Sequence, residues 1–449
     1  MPKFSIKGIW NNPEHRTVIS NTLSLSGLQM ANTILPVITV PYVVRVIGPG
    51  NYGIIAFSQA VVTYFVLLVN YGFDLSASRE VARVREDHAK LTEVFWSVLW
   101  TKLFLLLFST IVFLPLVLFV PQFRSVWQVM LAAYLILVGY VSFPTWFLQG
   151  IEKLGLVAIL NFILKLGFTV GIFVFLRQKN EFVVVPLLGS TAQVVAGALA
   201  LFYIRKNLVR TFRLPRVKAV LEQLKSGWTV FISTVFINFY TASNTVILGF
   251  FAAQANVGYY AAGGRLVYVA QALILNPIAQ AVYPHIGKLM KEERARGIEY
   301  LKKMTLLIAG ATIPASILIF LCAPLAVKIL LGNRFLPSIT VIRILSPFPF
   351  VIGMSNVLGT QGLLNLNRDS GFLKIIAVGS ILNLGLNLVM AGALKETGTA
   401  LAWLITETYI TIAFLVLIRR AGVEILDMGF YRKCIMEWLG KSEEVSLNE

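Results

Sequence analysis

The sequence predicts an all-α polytopic membrane protein, with about twelve transmembrane helices in two pseudo-symmetric six-helix bundles around a central cavity. Composition is the first reason. Of 449 residues, 57% are hydrophobic and only 13% are charged, against about 25% charged in an ordinary soluble domain. The mean hydropathy is +0.77. Length of the apolar runs is the second, since stretches able to cross about 30 Å of hydrocarbon recur from end to end, where a β-barrel would show short alternating strands. The third is how the basic residues fall between those runs. With the N-terminus inside, alternate segments hold 28 Lys and Arg on one side and 8 on the other. By the positive-inside rule both termini are cytoplasmic and the number of spans is even.

Taken in order, the expected spans cover roughly 18–47, 54–75, 94–120, 126–148, 156–176, 182–204, 226–251, 257–285, 303–323, 338–364, 371–393 and 397–418. The first two form a hairpin around Ile34 to Gly53, where Pro36 and Pro41 lie in an apolar run and Gly48, Pro49, Gly50 and Gly53 break it. Interior proline removes a helix hydrogen bond, and membrane helices tolerate it where a neighbour or polar cavity re-satisfies the carbonyl. The longest non-apolar stretch, Arg205 to Lys225, is basic and lies near the middle. The expected organisation is an N-terminal bundle over 1–204, a basic cytoplasmic linker over 205–225, a C-terminal bundle over 226–418 and a cytoplasmic tail over 419–449. Gln-Gly pairs at 149 and 361 lie 212 residues apart, and Tyr52 and Tyr259 lie 207 apart. Similar offsets point to a duplication with both halves in one orientation.

The net charge of +18 sits in short loops between apolar runs, which argues for membrane topology and against nucleic acid as a partner. Met1 to Arg16 is polar and the first apolar run is full length, so no cleavable signal peptide is expected. Cys322, Cys434 and three scattered histidines make neither a disulfide framework nor a metal site. No P-loop or paired loop carboxylates point to an enzyme, and no cofactor is expected.

Ionisable groups inside a bilayer are costly and usually face a partner or a wet path. Lys165 lies mid-span in NFILKLGFTVG, and Arg265 lies in the outer third of its span in YYAAGGRLVYVAQ. Arg45 and Arg343 lie toward the outer side, Lys102 and Lys374 toward the inner side, where snorkelling of a long stem is the competing reading. Together these six cations form a ladder, and one sign of charge along a low-dielectric path implies a mobile anion. Arginine suits phosphate because its planar fork binds bidentately. Glu407 is the one acid placed at mid-depth and is the candidate for coupling to H⁺ or Na⁺; neutralising a nearby lysine is its plainer role. Asn32 in the first span, and Asn238, Tyr240 and Asn244 in the seventh, are candidate polar lining, although such residues often just bond neighbouring helices.

Three stretches carry a family resemblance: LPVITVPYVVRVIGPGNYGIIAFSQAVVTYF from Leu35, NYGFDLSASREVARVRED from Asn70, and PTWFLQGIEKL from Pro144. A looser match is VGYYAAGGRLV, opening the eighth span. With these the chain resembles the Wzx-type O-antigen flippases, the polysaccharide transporter branch of the multidrug/oligosaccharidyl-lipid/polysaccharide exporter (MOP) superfamily. The resemblance implies a MATE-like fold with alternating access. It also implies transfer of an undecaprenyl-diphosphate-linked oligosaccharide from the cytoplasmic to the outer leaflet of the inner membrane. Expected partners are that lipid-linked oligosaccharide, membrane lipids, and polysaccharide polymerase and chain-length machinery. Arg45, Gly48, Trp146, Gln149, Gly150 and Glu152 match family positions, whereas Asn244 stands where members commonly have Asp. The competing readings are a MATE-type cation-coupled drug antiporter, a peptidoglycan lipid-precursor flippase, a membrane glycan polymerase or ligase, and a structural scaffold. The polymerase reading lacks the large outer loop it needs, and a scaffold has no need of intramembrane charge.

Overall fold

A glycine makes the first break in a long helical run. Helix α1 (Pro13–Asn70) keeps helical backbone angles throughout except at Gly48, where φ is 74° and ψ 173°. This conformation is open to glycine and strained for other residues. The run therefore consists of two arms, and the backbone stays helical through Pro36 and Pro41. This computed structural model describes residues 13–438, except for the side chains of 13–34, 36–37, 233, 236–237, 239–240, 276–285, 288, 291, 435 and 437–438. The described residues are helical or irregular, without strands, and eight helical stretches are long and apolar enough to cross a membrane. The chain divides into two compact units between Val235 and Phe236.

In the N-terminal unit, α1 is followed by α2 (Phe73–Val84), α3 (His88–Phe119), α4 (Pro121–Arg124), α5 (Trp127–Tyr134), α6 (Ile136–Ser142), α7 (Thr145–Gly150), α8 (Leu154–Phe175) and α9 (Val184–Asn207). The expected span over 126–148 is thus broken, and proline accounts for the sharpest break. Phe143 is extended, and Pro144 opens α7 without an N–H to continue α6. Asp87 caps α3 by accepting from the amides of Ala89 and Lys90, at 3.1 Å each. The apolar core at one end gathers Val43, Ile47, Ile55, Val129, Ile172, Leu176 and Val185. There Tyr42 donates to the Leu176 carbonyl at 2.7 Å, and Asn51 Nδ2 to that of Lys179 at 3.0 Å, tying the α1 hairpin to the end of α8.

The family-like stretches from Asn70 and from Pro144 build the other end of this unit. Tyr71 (φ 47°) and Gly72 (φ 74°) turn the chain after α1, and the turn is packed against α10 (Val217–Phe251). Tyr71 stacks on Phe231 with centroids 4.5 Å apart. A Cβ at Gly72 would fall 2.6 Å from Val230 Cγ1. Trp146, Phe147 and Leu148 are fully buried, with Phe147 set edge-on to Phe95 at 5.0 Å. Residues 208–216 are the only non-helical part of the expected linker. They are anchored by Trp96 Nε1, which donates to the Thr211 carbonyl at 2.9 Å, and by the Trp96–Phe212 contact.

The C-terminal unit takes the rest of α10, then α11 (Gln254–Glu292), α12 (Arg294–Ala326), α13 (Ser338–Leu345), α14 (Phe348–Ser355), α15 (Asp369–Arg420) and α16 (Met428–Trp438). The expected span over 338–364 is again discontinuous, broken before Pro347 and continued by a π-helical segment, Asn356–Leu363. Helix α15 is a second two-armed hairpin, interrupted at Lys395 (φ 52°, ψ −130°). Its arms close tightly, since a Cβ at Gly398 would collide with the Met390 carbonyl oxygen. The core of this unit centres on Leu301, Ile308, Leu358, Ile410, Phe414 and Ile418, and extends to Val423 and Ile425 beyond α15. Those two residues draw the tail back onto α12, where Asp427 pairs with Lys302 at 2.8 Å. The Lys302 ammonium beside Asp427 holds its carboxyl below the usual carboxylate range.

Candidate functional site

The six cations of the expected ladder separate by burial and partners. Arg45, Arg265, Arg343 and Lys374 are exposed on their units, and Lys165 is half-buried on α8. Arg265 lies 5.6 Å from the Tyr268 ring centroid and Arg343 5.3 Å from that of Phe320, so each guanidinium rests beside an aromatic ring. They stand on α11 and α13, which pack closely where Gly263 lets Val341 approach; a Cβ there would be 3.1 Å from Val341 Cγ1.

Lys102 is placed differently from the expectation. It neither snorkels nor lines a surface, being 2% exposed. Its ammonium donates to Asn70 Oδ1 at 3.0 Å and to the Tyr140 carbonyl at 2.7 Å. The second contact has a cause in the sequence. An α-helix would bond the carbonyl of Tyr140 to the N–H of residue 144, and residue 144 is proline. Lys102 supplies the donor that Pro144 lacks.

Asn244 is likewise interior to its unit, with no exposed surface. It accepts a hydrogen bond from Asn387 Nδ2. Around it lies a buried polar cluster that the sequence reading missed. Asn383 Nδ2 donates to Thr406 Oγ1 at 3.2 Å, Trp403 Nε1 donates to Glu407 Oε1 at 3.3 Å, and Trp403 lies 6.4 Å from the ring of Tyr260. Glu407 is 6% exposed and belongs to this cluster through Trp403. Among the described residues, Asn383 Oδ1, Asn387 Oδ1 and Thr399 Oγ1 are buried without a hydrogen-bond partner, an unusual concentration for a native core. A signal was present: Asn383 and Asn387, four apart in an apolar run, share a helix face. Asn238 is half-buried on α10, and the side chains of Asn32 and Tyr240 lie outside the described residues.

Comparison with known proteins sets this arrangement in a class. A solved structure of the lipid II flippase MurJ in an inward closed conformation superposes with a TM-score of 0.69 at 14% identity, covering 94% of this chain and 93% of that one. An inward-facing multidrug resistance MATE family transporter of the MOP superfamily gives the same TM-score at 16% identity, over 89% of this chain and 96% of its own. The fold is therefore that of a multi-pass helical membrane protein. The family described as "Polysaccharide biosynthesis protein" matches residues 18–290. An Escherichia coli (strain K12) protein named "Putative O-antigen transporter" is 33% identical over 403 residues, 89% of this chain and 96% of the relative. The chain belongs to that polysaccharide biosynthesis family, in the Wzx-type flippase branch of the MOP superfamily.

Proposed function

We propose that this protein is a polysaccharide flippase. It carries an undecaprenyl-diphosphate-linked oligosaccharide, such as an O-antigen repeat unit, from the cytoplasmic to the outer leaflet of the inner membrane. The observation that carries this reading is the 33% identity to the Escherichia coli relative over nearly the whole of both chains. The chemistry agrees with it. A glycan and a diphosphate cannot cross hydrocarbon unaided, whereas a prenyl tail can stay in lipid. Lys165, Arg45, Arg265, Arg343 and Lys374 are the groups proposed to meet the diphosphate in turn, and polar residues such as Asn32, Asn238 and Tyr240 to meet sugar. Lys102 is left out of that set because two internal acceptors already occupy its ammonium.

The proposed architecture is twelve spans in two six-helix halves with both termini cytoplasmic, alternating access by movement of one half against the other. Glu407 is the proposed coupling acid, taking up a proton or helping to hold Na⁺ once per cycle. The decisive test is flipping in proteoliposomes. The purified protein is reconstituted with a labelled undecaprenyl-diphosphate oligosaccharide, and lectin accessibility is followed across the membrane. Protein-dependent translocation that falls at least about tenfold in Lys165→Gln or Arg265→Gln is expected, because each removes a charge-assisted contact to phosphate. Full activity in both variants would remove these cations from the mechanism. Proton-driven efflux of a cationic dye, with no translocation of glycan lipid, would assign the protein to antiport.

A further inference from the structure

The two units form a similar corner beside their Gln-Gly segments and then differ in its charge. In the N-terminal unit Gly150 presses on α2, where a Cβ would fall 2.5 Å from Val81 Cγ1. Two residues later Glu152 turns the chain at φ 60°. Its carboxylate accepts from Arg85 Nη1 at 2.7 Å, just beyond the end of α2. That pair neutralises the corner. In the C-terminal unit the Gln361-Gly362 segment leads to Asn367, again a left-handed residue at φ 56°. Arg294 stands just beyond the end of α11, as Arg85 does beyond α2. Here the turn supplies Asn367 and Arg368 and no carboxylate. Among the described residues neither Arg294 nor Arg368 forms an ion pair.

The corner opens as a cavity of about 330 Å³ whose polar walls are Arg294, Asn365, Asn367 and Arg368, with Ala421 at its edge. Arg294 spends one donor on the Ala421 carbonyl, at 3.3 Å, of the five N–H groups a guanidinium carries. Asn365 Nδ2 is occupied by the Gln361 carbonyl at 2.8 Å. Asp369, the first residue of α15, is the acid beside Arg368 in the chain, Glu293 beside Arg294 pairs with Arg296 at 2.9 Å, and Arg419 and Arg420 stand in the last turn of α15. Depth decides what such a corner meets. Arg294, Leu363, Asp369 and Arg420 are all ends of stretches able to cross a membrane. The cavity therefore lies at the polar end of those stretches.

We propose that this corner is a phosphate-binding site, taking the phosphate of an anionic lipid headgroup or a free phosphate ion between the guanidinium groups of Arg294 and Arg368. Two forks facing one oxyanion supply charge-assisted hydrogen bonds that a single surface lysine does not. The site is independent of the transported molecule, and its test uses no transport. The full-length protein in neutral detergent is titrated with phosphatidylglycerol, counted as bound lipid by native mass spectrometry, and with radiolabelled inorganic phosphate by equilibrium dialysis. Two variants are compared: R294Q/R368Q, which removes both forks, and N367E, which installs the carboxylate that closes the corner in the other unit. The wild type is expected to bind at least one probe, with affinity falling about tenfold or more in both variants. Binding of phosphatidylglycerol alone names a lipid headgroup as the source, and equal binding of both names phosphate itself. No binding by the wild type, or unchanged affinity in either variant, overturns the proposal.

Discussion

The Lys102 ammonium offers the sharpest test of how this fold handles a buried charge. Asn70→Ala removes one of its two acceptors and leaves the Tyr140 carbonyl as the other. A hydrogen bond to a charged group is worth about 1.5–3 kcal/mol. For a unit of this size each kcal/mol moves the melting temperature by about 2–4 °C, so the variant should melt about 3–12 °C below the wild type. Lys102→Met removes the charge at similar volume. It spares the cost of burying an ammonium, but it orphans the carbonyl that Pro144 cannot bond, at about 1–3 kcal/mol. The two changes share one interaction and are not additive. In the Lys102→Met background Asn70→Ala should cost nothing further, because its partner is gone. The measurement is a double-mutant cycle of melting temperatures in detergent, with flipping assayed alongside. If Asn70→Ala remains equally destabilising in both backgrounds, the Lys102–Asn70 bond is not the source. If Lys102→Met melts like the wild type and no longer transports, Lys102 belongs to the substrate path.

Three further outcomes follow from single contacts. Gly398→Ala places a Cβ against the Met390 carbonyl; overpacking against backbone should cost about 3 kcal/mol, and an unchanged melting temperature would mean the α15 turn relaxes freely. Asp427 has a depressed folded-state pKa through Lys302, so its contribution is present above the unfolded carboxylate value and is lost as pH falls through the lower folded value. Acidification to that range, or Asp427→Asn at neutral pH, should free the tail, read as faster amide hydrogen exchange over 421–438; protection that ignores both would sever the tail from this ion pair. Glu407→Gln should leave the Trp403 contact nearly intact while abolishing any dependence of flipping on an imposed proton or Na⁺ gradient. A gradient dependence that survives moves coupling elsewhere.

Helix existence and most junctions were legible because hydrocarbon thickness and backbone chemistry leave few choices. Gly48 is a break because its φ of 74° suits glycine, and the break before α7 falls at a proline. What was not legible depends on packing. The junction at 394–396 could be read, but not that Lys395 would take φ 52° there, since lysine carries no signal for that conformation. The π-helical Asn356–Leu363 segment has no periodicity to distinguish it from an α-helix. The repeat was visible as a pair of Gln-Gly dipeptides, yet Gln149 is exposed while Gln361 is 2% exposed. Sequence recurrence marked a shared turn and gave no account of its surroundings.

The same limit explains the charges. Position along an apolar run predicts how deep a charge sits, and depth alone grouped Lys102 with Lys374 on the inner side. What separates the groups is the set of acceptors that folding brings within reach. Lys102 is retained in the interior because Pro144 frees a carbonyl and α1 ends in an asparagine, two features far from it in sequence. A buried charge with its hydrogen bonds filled has little left to offer a ligand, and its removal costs stability. Arg265 and Arg343 are exposed, and an aromatic ring leaves a guanidinium's N–H donors available for an oxyanion. Internal partner count, taken together with exposure, is therefore a better guide than depth to which cations a diphosphate would meet. On that criterion Arg265 and Arg343 rank above Lys102. The ordering is wrong if Lys102→Met costs more flipping than Arg265→Gln at equal folded protein.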